Sequence, residues 1–227
     1  MRRIDGLGRI PATGTRRGDV GVARIVVLCT ANVCRSPMAA TLLGRRLAEI
    51  GVTVQVHSAG MLRSGDPPHP EVISVMAGYG IDIAAHRSRV ACAADLARAD
   101  LVLAMARDHL RFAVVTEPDS WPRAFTLREL IRRGERVGPR LPGESLSCWL
   151  SRAHEGRGRA ALLGDCAHDD VPDPAGQPMP AYADVARLLD RSAARLAELG
   201  WAHGGARPLA ARRFAVTSPM LRGTGPG

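Results

Sequence analysis

Apolar residues in this chain alternate between short β-branched runs and longer stretches of helical period. Residues 24–28, Arg-Ile-Val-Val-Leu, read as a strand buried on both faces. From Met38 to Ile50 the pattern becomes helical, with Leu42, Leu43, Leu47 and Ile50 on one side. Pro37 is expected at the first helical turn, where its missing N–H costs nothing, with Ser36 as the N-cap. Residues 52–57 alternate as a second strand, ended by Ser58-Ala-Gly60, and Pro67, Pro68 and Pro70 mark a loop before a helix over 71–79. A third strand is predicted over 100–105, a helix over 107–115, a short fourth strand over 123–125 and a helix from Leu127 to Arg133. Residues 134–166, rich in Gly, Arg and Pro with one helix near 145–154, read as a variable insertion. Pro178 to Leu199 is a long amphipathic helix carrying Val185, Leu188, Leu189, Leu196 and Leu199, with Gly200 as its expected stop.

Strands separated by helices imply parallel pairing, and so a small doubly wound α/β sheet that binds ligands outside the carboxyl ends of its strands. Cys29 stands at such an end. The expected organisation is a disordered basic leader over 1–22, one domain over 23–200 and a flexible basic tail over 201–227.

Charge and cysteine content narrow the function. The net charge is +9, and all 31 basic residues are Arg. Residues 1–22 carry five Arg and two Asp, and residues 200–227 four Arg and no acid, which leaves the body about +2. A nucleic-acid footprint is normally a basic patch on the folded domain, so nucleic acid is not the expected partner. Five cysteines, an odd number with no secretory h-region before them, argue against a disulfide framework and for a cytoplasmic protein. No apolar run approaches the roughly 18 residues of a membrane span.

The chemistry concentrates in Cys29-Thr-Ala-Asn-Val-Cys-Arg-Ser-Pro37. Five residues between Cys29 and Arg35 form a loop able to wrap an oxyanion with backbone N–H groups, and the helix N-terminus that follows adds partial positive charge. Arg35 offers a planar fork for two phosphate oxygens, and the same positive field favours the thiolate of Cys29. One short loop would thus bind a phosphate and activate the nucleophile that attacks it, giving a phosphocysteine for water to hydrolyse. Cys29 and Cys34 have neither the spacing of a Cys-x-x-Cys redox pair nor a second Cys or His pair for zinc.

This segment resembles the signature loop of the low-molecular-weight protein tyrosine phosphatases. Ser58-Ala-Gly60, His86-Arg-Ser-Arg89, Leu103-Ala-Met105, Phe125-Thr-Leu127 and Asp170-Val-Pro-Asp-Pro174 follow in the family's order, so the likeness spans 24–199 apart from the insertion. The resemblance implies a four-stranded parallel flavodoxin-like sheet with flanking helices, no metal and no cofactor. The substrate would be a phosphorylated protein or a small phosphate ester. It makes Cys29 the nucleophile, Arg35 the phosphate clamp and Thr30, Ala31, Asn32, Val33, Cys34, Arg35 and Ser36 the phosphate-binding loop. It further assigns Asn32, Ser36, Ser58 and His86 to a supporting hydrogen-bond network, and Cys34 to a reversible disulfide with the nucleophile.

A leaving alkoxide or phenoxide needs a proton, and Asp165, Asp169, Asp170 and Asp173 share one loop. Asp173, in a rigid Asp-Pro turn before the final helix, is the expected general acid and matches the family's. Three departures stand out. Ala31 replaces a frequent Gly, tolerable if its φ is negative. Ala175 and Gly176 stand where many family members have aromatics, and Trp149 in the insertion is a candidate replacement wall, against the simpler reading that it packs the insertion. Val33 stands where protein arginine phosphatases of the family tend to have threonine. Two other activities stay open: phosphoarginine hydrolysis, and thioredoxin-coupled arsenate reduction on the same fold. The reductase reading lacks its cysteine pair, because Ala104–His109 carries none.

Overall fold

The structure is a computed structural model that describes residues 22–164 and 166–202. All of the expected leader but Val22, and most of the expected tail, therefore lie outside the described residues. Four parallel strands form the sheet: β1 (Ala23–Leu28), β2 (Val54–Ala59), β3 (Leu101–Ala104) and β4 (Ala124–Thr126), in the order β2-β1-β3-β4. The helices are α1 (Arg35–Glu49), α2 (Pro70–Gly78), α3 (Ala93–Arg98), α4 (Arg107–Thr116), α5 (Leu127–Val137), α6 (Leu146–His154) and α7 (Met179–Trp201).

The sheet is covered on both faces, as the continuous apolar runs require. Ile25, Val27, Leu101, Leu103 and Phe125 point into one core, shared with α1, α2, α5, α6 and α7. Val26, Leu28, Val102, Ala104 and Ala124 point into a second, closed by α3 and α4 through Leu96, Leu110 and Ala113. The doubly wound, four-stranded expectation holds. The helix α3 was not foreseen: six residues are too few for a clear apolar period.

Three local expectations are corrected. The first helix starts at Arg35, three residues before the predicted Met38, so Cys34 is its N-cap and Ser36 lies inside the first turn without capping it. The Ser36 hydroxyl is taken up by side chains of the loop instead. Gly200 does not stop the last helix, which runs through the buried Trp201. A Cβ on Gly134 would lie 2.9 Å from the Trp149 ring, so this glycine makes room for the indole, whereas one on Gly200 would lie at an ordinary contact distance of 3.7 Å. Trp149 is therefore a core residue, 0% exposed, with Nε1–H donating to Gly138 O at 3.0 Å, and it is not a wall for a substrate ring.

The segment 134–166 is tied closely to the rest. Leu150 and Ala153 join Trp149 in the larger core. Beyond α6 the Arg157 guanidinium lies over Trp121 and Phe125, at 3.9 and 4.1 Å from their ring centroids, and pairs with the buried Glu129 at 2.9 Å. A buried Arg needs such a partner and aromatic faces to replace lost hydration.

Candidate active site

The loop Cys29–Cys34 leaves the carboxyl end of β1, the central position beside β2 and β3, and runs straight into α1. Cys29 is buried, its N–H donating to Ala59 O at 3.3 Å, and its Sγ lies 3.0 Å from Ser36 Oγ. Asn32 has a left-handed backbone, φ 58°, which asparagine tolerates better than other non-glycine residues. No other non-glycine among the described residues has positive φ, so Ala31 keeps the negative value it needs.

That turn aims the Asn32 amide into the loop. Its Nδ2 donates to Ser36 Oγ and to Ser58 Oγ, both at 2.9 Å, and its Oδ1 accepts from Arg89 N–H at 3.0 Å. The Asn32 carbonyl oxygen lies 2.8 Å from His86 Nε2. Hydrogen bonds thus join Asn32 to Ser36, Ser58 and His86. Ser36 has one hydroxyl proton. With its oxygen accepting from Asn32, that proton can reach Ala59 O at 3.3 Å or Cys29 Sγ at 3.0 Å. The hydroxyl can therefore donate to a thiolate by exchanging its bond to Ala59 O for the shorter one to Cys29, while its bond from Asn32 stays in place.

The approach of β2 to the loop leaves no spare room. A Cβ on Gly60 would lie 2.9 Å from Thr30 O and 3.0 Å from Asn32 N. Met61 N–H donates to the same Thr30 carbonyl at 2.8 Å. Cys34 is buried, and burial, with Asp173 and Cys29 adding to it, pushes its thiol up to about 12. Cys29 and Cys34 are both free thiols.

Arg35 is buried and spans the site. Its Nη2 donates to Thr30 Oγ1 at 3.1 Å and to Asp173 Oδ2 at 2.5 Å, and its Nη1 donates to Val171 O at 3.4 Å. The neighbouring acids are occupied elsewhere. Asp170 accepts from Arg107 N–H and Cys166 N–H, while the buried Asp169 pairs with Arg132 and Arg107. Asp173 alone of these three reaches Arg35, and its side chain remains 46% exposed. Asp165 lies outside the described residues.

Sequence reasoning missed three residues around the loop. His69 N–H donates to Val33 O at 3.2 Å, and its Nδ1 meets the buried Tyr182 hydroxyl at 3.2 Å. His109, in the first turn of α4, is fully buried and lies 3.0 Å from Thr30 Oγ1. Its position just past β3, at the same sheet edge as Cys29, was the available signal. A groove of about 420 Å³ beside α1 and β2 is lined partly by Ser58 and His86 but by none of Cys29, Arg35 and Asp173.

A parallel sheet with helices on both faces, carrying a cysteine loop and an arginine at its carboxyl edge, is the fold of the cysteine-dependent phosphatases. A sequence model described as low molecular weight phosphotyrosine protein phosphatase matches residues 24–137, and this chain belongs to that family. A probable low molecular weight protein-tyrosine-phosphatase EpsP of Ralstonia solanacearum is 38% identical over 109 residues, 48% of this chain and 73% of that protein. A protein-arginine-phosphatase of Geobacillus stearothermophilus is 36% identical, also over 109 residues, covering 48% of this chain and 71% of that one. The crystal structure of a low molecular weight protein tyrosine phosphatase from T. tengcongensis superposes with a TM-score of 0.58 at 31% identity, covering 78% of this chain and 98% of the other. The matched stretch spans between 56% and 73% of the curated Ralstonia relatives' own length. Among the described residues no helix is long and apolar enough to cross a membrane.

Proposed function

We propose that this chain hydrolyses phosphate monoesters, with protein phosphotyrosine as its substrate class, through a phosphocysteine on Cys29. The Cys29 thiolate, accepting a hydrogen bond from the Ser36 hydroxyl, attacks phosphorus. The P–O bond to the leaving group breaks, and Asp173 gives its proton to the departing oxygen. Asp173, now a carboxylate, takes a proton from water as the water attacks the phosphocysteine, releasing phosphate and the thiolate. Arg35 holds two of the phosphate oxygens throughout. The observation that carries this reading is the Arg35–Asp173 contact, 2.5 Å across 138 residues of sequence, which brings a carboxyl to the mouth of the cysteine loop. Cys29→Ser should abolish turnover of p-nitrophenyl phosphate while retaining phosphate binding. Substantial residual kcat would remove Cys29 as nucleophile.

Phosphoarginine is the second reading, favoured by the similarity to an arginine phosphatase and by Ala175 and Gly176, which give no ring wall. Val33 weighs against it, because its apolar side chain cannot orient a water. A single ring contact is worth about 0.5–1.5 kcal/mol, too little to reverse the chemistry. Side-by-side kcat/KM values on phosphotyrosine and phosphoarginine peptides decide: a tenfold advantage for phosphoarginine would overturn the assignment. Arsenate reduction has less support, since Cys92 caps α3, Cys148 is exposed on α6 and Cys166 contacts Asp169. Five free thiols support a cytoplasmic setting, and the nearly neutral body supports a protein rather than a nucleic-acid partner.

A further inference from the structure

His109 has no part in the chemistry just described, yet it touches the loop. Its Nε2 lies 3.0 Å from Thr30 Oγ1, and its Nδ1 has no hydrogen-bond partner. Burial, reinforced by the nearby Arg35 and Arg111 against the pull of Asp108 and Asp173, pushes the imidazole down to about 4, so the ring is neutral.

The protons around Thr30 can be assigned. Arg35 Nη2 only donates, so Thr30 Oγ1 accepts from it at 3.1 Å. The single hydroxyl proton of Thr30 then needs an acceptor, and His109 Nε2 is in place. It accepts only in the neutral tautomer that carries its proton on Nδ1. Arg35, Thr30 and His109 then form a chain of donors running one way and ending on a ring nitrogen, an arrangement in which each bond polarises the next. The fold alone does not call for imidazole here. An apolar side chain of similar volume would fill the space without leaving a buried ring nitrogen unpaired.

We propose that His109 is a positioning residue for the phosphate clamp: by accepting the Thr30 hydroxyl proton it turns the oxygen lone pairs toward Arg35 and holds the guanidinium in its phosphate-receiving orientation. This rests on the reading of Arg35 as the clamp.

The test is a double-mutant cycle on the full chain with Thr30→Val, His109→Leu and the pair. It is read as the dissociation constant of inorganic phosphate, as kcat and KM for p-nitrophenyl phosphate, and as Tm at pH 7. His109→Leu should weaken phosphate binding and lower kcat/KM by about tenfold, the scale of one hydrogen bond to a charged group. Thr30→Val should do the same, and the double variant should be no worse than either. His109→Gln, whose side-chain oxygen can accept the same proton, should recover most of the loss. The Tm of His109→Leu should hold or rise. Additive losses, phosphate affinity within twofold of wild type for His109→Leu, or a Gln variant no better than Leu would each overturn the proposal. His109→Met serves in the same cycle if the Leu variant does not fold. Phosphate binding needs no turnover, so the cycle decides on His109 even if Cys29→Ser shows the phosphocysteine mechanism to be wrong.

Discussion

Arg35 Nη2 and Asp173 Oδ2 stand 2.5 Å apart, joining the first turn of α1 to the loop before α7. Asp173 also accepts from Ala175 N–H at 3.2 Å, so its Asp-Pro turn presents one oxygen to Arg35 and ties the other to its own backbone. Asp173→Asn should lower kcat by about 10²–10⁴-fold for alkyl-like esters and much less for nitrophenyl esters, whose leaving group needs no proton. Asp170→Asn, altering a residue bonded to Arg107 and Cys166 N–H groups, should affect both substrates alike. Equal losses on the two ester types in Asp173→Asn would end its role as the acid.

Asn32 concentrates the loop's internal bonding in one side chain. Asn32→Ala removes both amide bonds to Ser36 and Ser58, leaves Arg89 N–H without its acceptor and puts alanine at φ 58°. The expected loss is about 2–4 kcal/mol in urea unfolding, with kcat down at least about tenfold. Asn32→Gly relieves the backbone term and should recover about 1 kcal/mol of stability without recovering kcat. A Gly variant as active as wild type would show that the backbone turn alone organises the loop.

Gly60 is required by contact rather than by conformation. The atoms a Cβ would meet are backbone atoms of Thr30, Ala31 and Asn32, which cannot swing aside as a side chain could. Gly60→Ala should therefore displace the loop and weaken phosphate binding by about tenfold or more, with a smaller relative effect on Tm. Unchanged phosphate affinity would mean that β2 yields instead of the loop.

His109 also gives the protein an acid-sensitive term. Its folded value of about 4 lies below the ordinary histidine value of 6.5, so between those pH values the unfolded chain binds a proton that the folded chain does not. The stabilisation is complete above pH 6.5 and is lost as pH falls toward 4, by about 3 kcal/mol at most. Asp108, Asp173, Arg35 and Arg111 face the ring in wild type and variant alike. Urea stabilities at pH 7 and pH 4 should therefore fall further in wild type than in His109→Gln. Parallel losses would place the acid sensitivity elsewhere.

Local order was legible in the residues themselves. The β-branched run, the Cys29–Arg35 spacing and Ser36-Pro37 are contiguous, so strand, loop and helix follow from preferences that act over a few residues. The period of α7 and the alternation of buried runs with helices were enough for a four-stranded parallel sheet. Boundaries shifted where packing overrode a local signal: Gly200 was expected to stop α7, but the helix runs on to bury Trp201 in the larger core. Ser36 was expected to cap α1, but its hydroxyl had partners in Cys29 and Asn32.

Tertiary structure decided what distance in sequence conceals. Asp169, Asp170 and Asp173 look alike in a string, and only the packing of their loop separates two acids held by Arg132, Arg107 and backbone N–H groups from the one that meets Arg35. Trp149 could be read as a substrate wall until α5, α6 and α7 closed over it. His109 carried no motif at all. It acquired a partner because the order β2-β1-β3-β4 sets the end of β3 beside the end of β1, bringing the first turn of α4 within hydrogen-bond reach of Thr30. Periodicity and spacing report which way a side chain faces along its own element. Which element lies opposite is set by sheet order and layer packing, and no local pattern encodes it.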